Sequence, residues 1–67
     1  MVNIVETVSR DELRAFEMLE SKEFRLPSEN AIETLLTVKS QMKRREGREF
    51  KMVRTGEPLT VRLTRIK

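Results

Sequence analysis

The sequence predicts one small α+β domain in which a C-terminal β-hairpin packs on a long helix. Three observations carry that expectation. Apolar residues recur at helical spacing between Glu29 and Glu46, in a stretch that opens on Pro27-Ser28 and closes on Gly47. From Glu49 onward the period changes to alternation, interrupted once at Thr55-Gly56-Glu57-Pro58. A third stretch, Arg10 to Ser21, begins with helix-capping chemistry at Ser9.

Taken in order, Val2 to Val8 is rich in β-branched residues. It reads as a short edge strand near 2–7 or an extended lead-in. At Ser9 the pattern Ser-Arg-Asp-Glu forms a capping box. The Ser9 hydroxyl would accept from the Glu12 amide, and the Glu12 carboxylate would reach back to the Ser9 amide. Val8 and Leu13 occupy the two positions of a hydrophobic staple. A helix is expected over about 10–21, with Leu13, Phe16 and Leu19 as its apolar face.

Phe24-Arg25-Leu26 alternates and reads as a short strand at 24–26. Pro27 disfavours helix at Leu26, Ser28 is the expected N-cap, and Glu29 suits the positive end of the dipole. The long helix should cover 29–46. Ala31, Leu35, Val38 and Met42 fall on one stripe, with Ile32 and Leu36 to one side. Lys43, Arg44 and Arg45 fill the last turn, where cations are favoured, and Gly47 supplies a left-handed stop.

The hairpin is expected over about 49–54 and 59–66, with Gly56 in the turn and Pro58 at the start of the second strand. Phe50, Met52, Leu59, Val61 and Leu63 would face the core. Lys51, Val53, Thr60, Arg62 and Thr64 would face out. A hairpin is marginal alone, so the sheet needs the long helix and a further strand from 24–26 or 2–7.

At 67 residues the chain makes one domain, spanning 1–67, with no cysteine or histidine to build a disulfide or an imidazole–thiolate metal site. A chain this short buries only about 60% of its unfolded surface. The sequence has no apolar run of membrane-spanning length and no signal-peptide pattern at its start, so a cytoplasmic location is expected.

The chemistry of the chain points away from an enzyme. It has no histidine base, no thiolate and no glycine-rich phosphate loop, since its two glycines are Gly47 and Gly56. Ser9 and Ser28 are accounted for as caps, and the glutamate pairs at helical spacing suit a solvated surface. No cofactor and no metal are expected.

The positive signal is charge asymmetry. Residues 1–38 carry four bases against eight acids, net −4, and residues 39–67 carry ten against three, net +7. Such an imbalance between halves points to an anionic partner for the basic half, or to neutralisation of one half by the other. The candidate nucleic-acid-binding residues are Lys43, Arg44, Arg48, Lys51, Arg54, Arg62 and Arg65. Cations on a helix end and a β-ribbon suit phosphate contact. Tyrosine and tryptophan are absent, and the three phenylalanines read as core, which argues against stacking on single strands.

Lys43-Arg44-Arg45-Glu46-Gly47-Arg48-Glu49-Phe50, followed by a hairpin ending Val61-Arg62-Leu63-Thr64-Arg65-Ile66, resembles the tail of small phage-encoded helix-plus-hairpin proteins. The likeness covers roughly the last 30 residues. It implies a protein of phage type that binds nucleic acid or a host protein, and it assigns no functional residue. Two functions follow from the sequence. One is a small DNA-binding accessory or regulatory protein. The other is a module that binds and modulates a host protein, for which the Ile32/Leu36 flank is the expected contact. A homodimer is compatible with both.

Overall fold

A computed structural model describes residues 2–67. The elements in order are β1 (Val2–Ile4), α1 (Arg10–Arg14), β2 (Ser21–Arg25), α2 (Glu29–Glu46), β3 (Phe50–Arg54) and β4 (Thr60–Arg65). The fold is α+β, with one long helix, one short helix and a four-stranded mixed sheet in the order β1-β2-β4-β3. β1 is parallel to β2, while β4 is antiparallel to both β2 and β3. β1, β2 and β3 therefore point the same way, and the hairpin inserts β4 between β2 and β3.

Burial follows the pleat. Phe24, Val61, Leu63 and Phe50 turn inward from the sheet and join Ile32, Leu35 and Met42 of α2 in one apolar cluster. Val8, Leu13 and Phe16 add the α1 side of that cluster. Ala31, Val38, Met52 and Leu59 pack against it, half-buried. Phe16 sits at the centre, its ring edge-on to Phe50 at 5.4 Å and tilted against Phe24 at 6.4 Å. The Lys22 ammonium lies 4.8 Å from the Phe16 centroid.

α2 matches its expected bounds at both ends. The Ser28 hydroxyl accepts from the Ala31 amide at 3.3 Å, and Gly47 closes the helix at φ +70°. The expected stripe shifts by part of a turn. Ile32 belongs to the core, while Leu36 is left largely exposed, so the expected Ile32/Leu36 flank reduces to one leucine.

α1 is much shorter than the expected 10–21. Ser9 caps it through the Glu12 amide at 3.3 Å, but the reciprocal bond from the Glu12 carboxylate is not formed. Val8 and Leu13 are both buried, as a staple requires. Beyond Ala15 the turns tighten, and Leu19 takes a left-handed φ of +67° with its N–H donating to the Arg65 carbonyl at 2.8 Å. Leu19 is consequently 71% exposed and does not join Leu13 and Phe16. Sheet pairing overrides helix propensity here, because Ser21 to Arg25 lie opposite Thr64 to Thr60 in β4.

β2 thus begins three residues before the expected 24–26 strand and ends at Arg25, with Leu26 buried just beyond it. The lead-in forms a strand over Val2–Ile4 only. In the hairpin, Gly56 has φ +96°, but Pro58 and Leu59 remain in the turn and β4 starts at Thr60. Leu59 takes φ +54°, and its carbonyl accepts from the Leu26 amide at 2.9 Å.

Thr60 corrects the expected outer face. It occupies an outward position of β4 yet is 1% exposed. Its hydroxyl donates to the Pro58 carbonyl at 3.0 Å and accepts from Arg25 Nε at 3.3 Å. The Arg25 head is held in turn by Glu57 at 2.7 Å.

Candidate nucleic-acid interface

The α2 C-terminal half, the loop 47–49 and the start of β3 carry the densest positive charge of the chain. Between Lys39 and Lys51 stand six bases (Lys39, Lys43, Arg44, Arg45, Arg48 and Lys51) against Glu46 and Glu49. Both carboxylates are engaged. Glu46 takes the Arg14 guanidinium at 2.7 Å and Arg48 at 3.7 Å, and Glu49 takes Lys43 at 3.3 Å and Lys67 at 3.8 Å. Among the described residues, Lys39, Arg44, Arg45 and Lys51 have no carboxylate within ion-pair reach.

The seven candidate residues separate into distinct environments. Lys43 and Arg44 share an open groove of about 330 Å³ with Lys39, Ser40, Glu49 and Phe50. Lys51 projects from the opposite, uncovered sheet face, because its neighbours Phe50 and Met52 turn toward the core. Arg62 shares that outer face, and Glu23 of the adjacent strand takes its guanidinium at 2.8 and 3.1 Å.

The other three arginines are bound within the fold. Arg54 makes a two-pronged contact with Glu29, at 2.6 and 3.1 Å, which ties the end of β3 to the first turn of α2. Arg48 donates to the Arg14 carbonyl at 3.1 Å. Arg65 donates to the carbonyls of Phe16 at 3.0 Å and Lys67 at 3.2 Å. A lone helix-to-ribbon seam holding Lys43, Arg44, Arg48, Lys51 and Arg62 together is therefore not what the fold builds. Lys43 and Arg44 lie on the helix side, Lys51 and Arg62 on the far face of the sheet.

Two of the carboxylates are held by these pairs in their charged form. Hydrogen bonding from Arg14 draws the Glu46 carboxyl below its ordinary range. Desolvation opposes that shift, and attraction to Arg14, Arg48 and Arg10 reinforces it. Hydrogen bonding from Arg54 lowers Glu29 in the same way, and each arginine is raised by its partner.

Lys39 and Ser40 are the groove residues that sequence reasoning passed over. The signal was helical spacing: Lys39 with Lys43, and Ser40 with Arg44, are i,i+4 pairs in neighbouring rows. A second, mostly apolar depression of about 390 Å³ lies by the other sheet edge, where Ile4, Val5, Leu26, Pro27 and Leu59 meet. No helix among the described residues is long and apolar enough to cross a membrane, and no group of acids there is arranged to hold a metal ion. No protein family, curated protein or solved structure matches the chain, so the functional reading rests on this geometry.

Proposed function

We propose that this is a small accessory or regulatory DNA-binding protein that grips the phosphate backbone of a duplex with the C-terminal half of α2. The observation that supports it is the excess of cations on the C-terminal half of α2, where, among the described residues, Lys39, Arg44 and Arg45 lack a carboxylate partner. Bases without an internal partner on the last turns of α2 neutralise phosphates and so release the counterions condensed on the DNA.

A duplex suits the site better than a single strand. All three phenylalanines are 4% exposed or less and offer no platform for base stacking. An exposed helix flank also fits the open grooves of B-form DNA better than the deep, narrow major groove of A-form RNA.

Fluorescence anisotropy with a labelled DNA duplex, repeated across a salt series, tests this reading. If Lys39, Lys43, Arg44 and Arg45 each meet one phosphate, log K should fall against log salt with a slope of about −3 to −4. Arg44→Gln should weaken binding and make that slope shallower by about 1. Absence of binding at low salt, or affinity indifferent to salt, refutes the proposal.

A further inference from the structure

The groove between α2 and β3 has the composition of an anion site that is already partly filled from within. Lys39 and Lys43 stand one helical turn apart, and Ser40 and Arg44 stand one turn apart in the next row. Like charges at this spacing repel and weaken a helix. The fold relieves that repulsion at Lys43 alone, through the Glu49 carboxylate 3.3 Å away. Glu49 is the one carboxylate lining the groove, and its second oxygen holds Lys67 at 3.8 Å. The Ser40 hydroxyl makes no hydrogen bond among the described residues and is exposed.

The backbone of Glu49 is fixed independently of its side chain. Its N–H donates to the Lys67 carbonyl at 3.2 Å, and its carbonyl accepts from Ile66 at 2.9 Å and Lys67 at 3.3 Å. The carboxylate can therefore leave Lys43 while the end of the sheet stays paired.

We propose that this groove is a single-phosphate subsite in which one phosphate of the DNA backbone displaces the Glu49 carboxylate from Lys43. The inference rests on the DNA-binding reading and names where a phosphate sits and what it competes with. A phosphodiester carries one negative charge, as the carboxylate does, so Lys43 stays neutralised through the exchange. Arg44 presents a planar fork to the phosphate oxygens, Lys39 adds a second ammonium, and Ser40 donates its hydroxyl. Glu49 retains Lys67 as its partner after it is displaced. In the free protein it acts as an internal competitor that lowers affinity.

The test compares Glu49→Gln with Glu6→Gln in the full chain. Both raise the net charge equally, but Glu6 lies beyond β1, at the sheet edge remote from β3. Glu49→Gln should bind a labelled DNA duplex about two- to fivefold more tightly than wild type, the range that release of one exposed ion pair allows. Glu6→Gln should change affinity much less. Lys39→Gln should weaken binding by a similar factor, and thermal melts establish that each variant is folded. Separately, titration of inorganic phosphate at constant ionic strength, followed by amide NMR, should shift resonances at 39–44 and 49–50.

Equal tightening by Glu49→Gln and Glu6→Gln, with salt-dependent DNA binding intact, overturns the subsite and leaves the DNA reading standing. Phosphate shifts at the groove without DNA binding at any salt overturn the DNA reading, and the backbone-phosphate assignment falls with it.

Discussion

Phe16 is the side chain on which the short first helix and the sheet depend together, and its replacement gives the sharpest test of the core. Its ring is 2% exposed and meets Phe50 edge-on at an interplanar angle of 87°. A domain of this size has a total stability of roughly 3–10 kcal/mol. Phe16→Ala removes a buried ring at a cost of about 3–5 kcal/mol, a large part of that total, and should leave a substantial unfolded population at room temperature. Phe16→Leu is more informative. It keeps most of the apolar volume and removes the aromatic geometry with Phe50 and Phe24, which is worth about 0.5–1.5 kcal/mol per pair. Imperfect repacking adds up to about 1.5 kcal/mol. A net loss of about 1–4.5 kcal/mol should lower Tm by at least about 5 °C. Circular dichroism melts and urea titrations measure this, with an unchanged m value showing that the unfolding transition is the same. A Phe16→Leu variant melting within about 2 °C of wild type would refute the claim that Phe16 organises the core.

Two further outcomes follow from the ion pairs and the helix stop. Glu46 and Glu29 have folded pKa values depressed by Arg14 and Arg54, so their stabilisation is present above the unfolded carboxylate range and is lost as pH falls through the folded values. Tm should hold from neutrality to about pH 5 and then decline. Glu46→Gln and Glu29→Gln should each lower the neutral Tm slightly and flatten the acid limb, modestly because the pairs are exposed and screened. An acid limb identical in wild type and the double variant would remove both pairs from the account. Gly47 holds φ +70° with open space where a Cβ would stand, so Gly47→Ala meets no clash and is penalised by backbone conformation alone. The cost should be about 1–2 kcal/mol by chemical denaturation, with Gly47→Asn costing less. Equal stability of alanine and asparagine at this position would contradict a left-handed cap.

The parts of the fold that the sequence made legible are those fixed by neighbours in the chain. Pro27, Ser28 and Gly47 set both ends of α2 through local sterics and capping. Alternation from Phe50 to Arg65 gave the hairpin and its buried face. What stayed hidden depends on partners far along the chain. Ala15 to Glu20 has good helix formers, and only its hydrogen bonds to Arg65, remote in sequence, explain why it leaves the helix. Thr60 reads as an outward residue of a polar face, and its burial needs Arg25 and Glu57 to lie across it. The candidate site followed the same rule. The basic run at Lys43 was visible, but the acids that claim Arg54 and Arg62 come from 25 and 39 residues away.

The opposition of an acidic half and a basic half admits two explanations, an anionic partner or mutual neutralisation, and the ion pairs test the second. Glu29, Glu23 and Arg14 from the first half take Arg54, Arg62 and Glu46 from the second, and Arg25 takes Glu57. Two of these pairs join an acid of the first half to a base of the second and two join them the other way round, so they leave the net charge of each half as it was; all four fall on arginines, whose forked heads suit carboxylates. Among the described second-half residues, Lys39, Arg44, Arg45, Lys51 and Arg65 have no carboxylate partner; three of them lie on one helix, Lys51 is on the far sheet face and Arg65 is bonded to carbonyls. The helix dipole explains cations within the last turn, where it favours Lys43, Arg44 and Arg45. It does not reach Lys39, which precedes that turn and repels Lys43 across the groove. A base set where it opposes its neighbour, beside an exposed hydroxyl and a carboxylate that satisfies one of the two lysines, is a local conflict of the kind that a bound anion resolves.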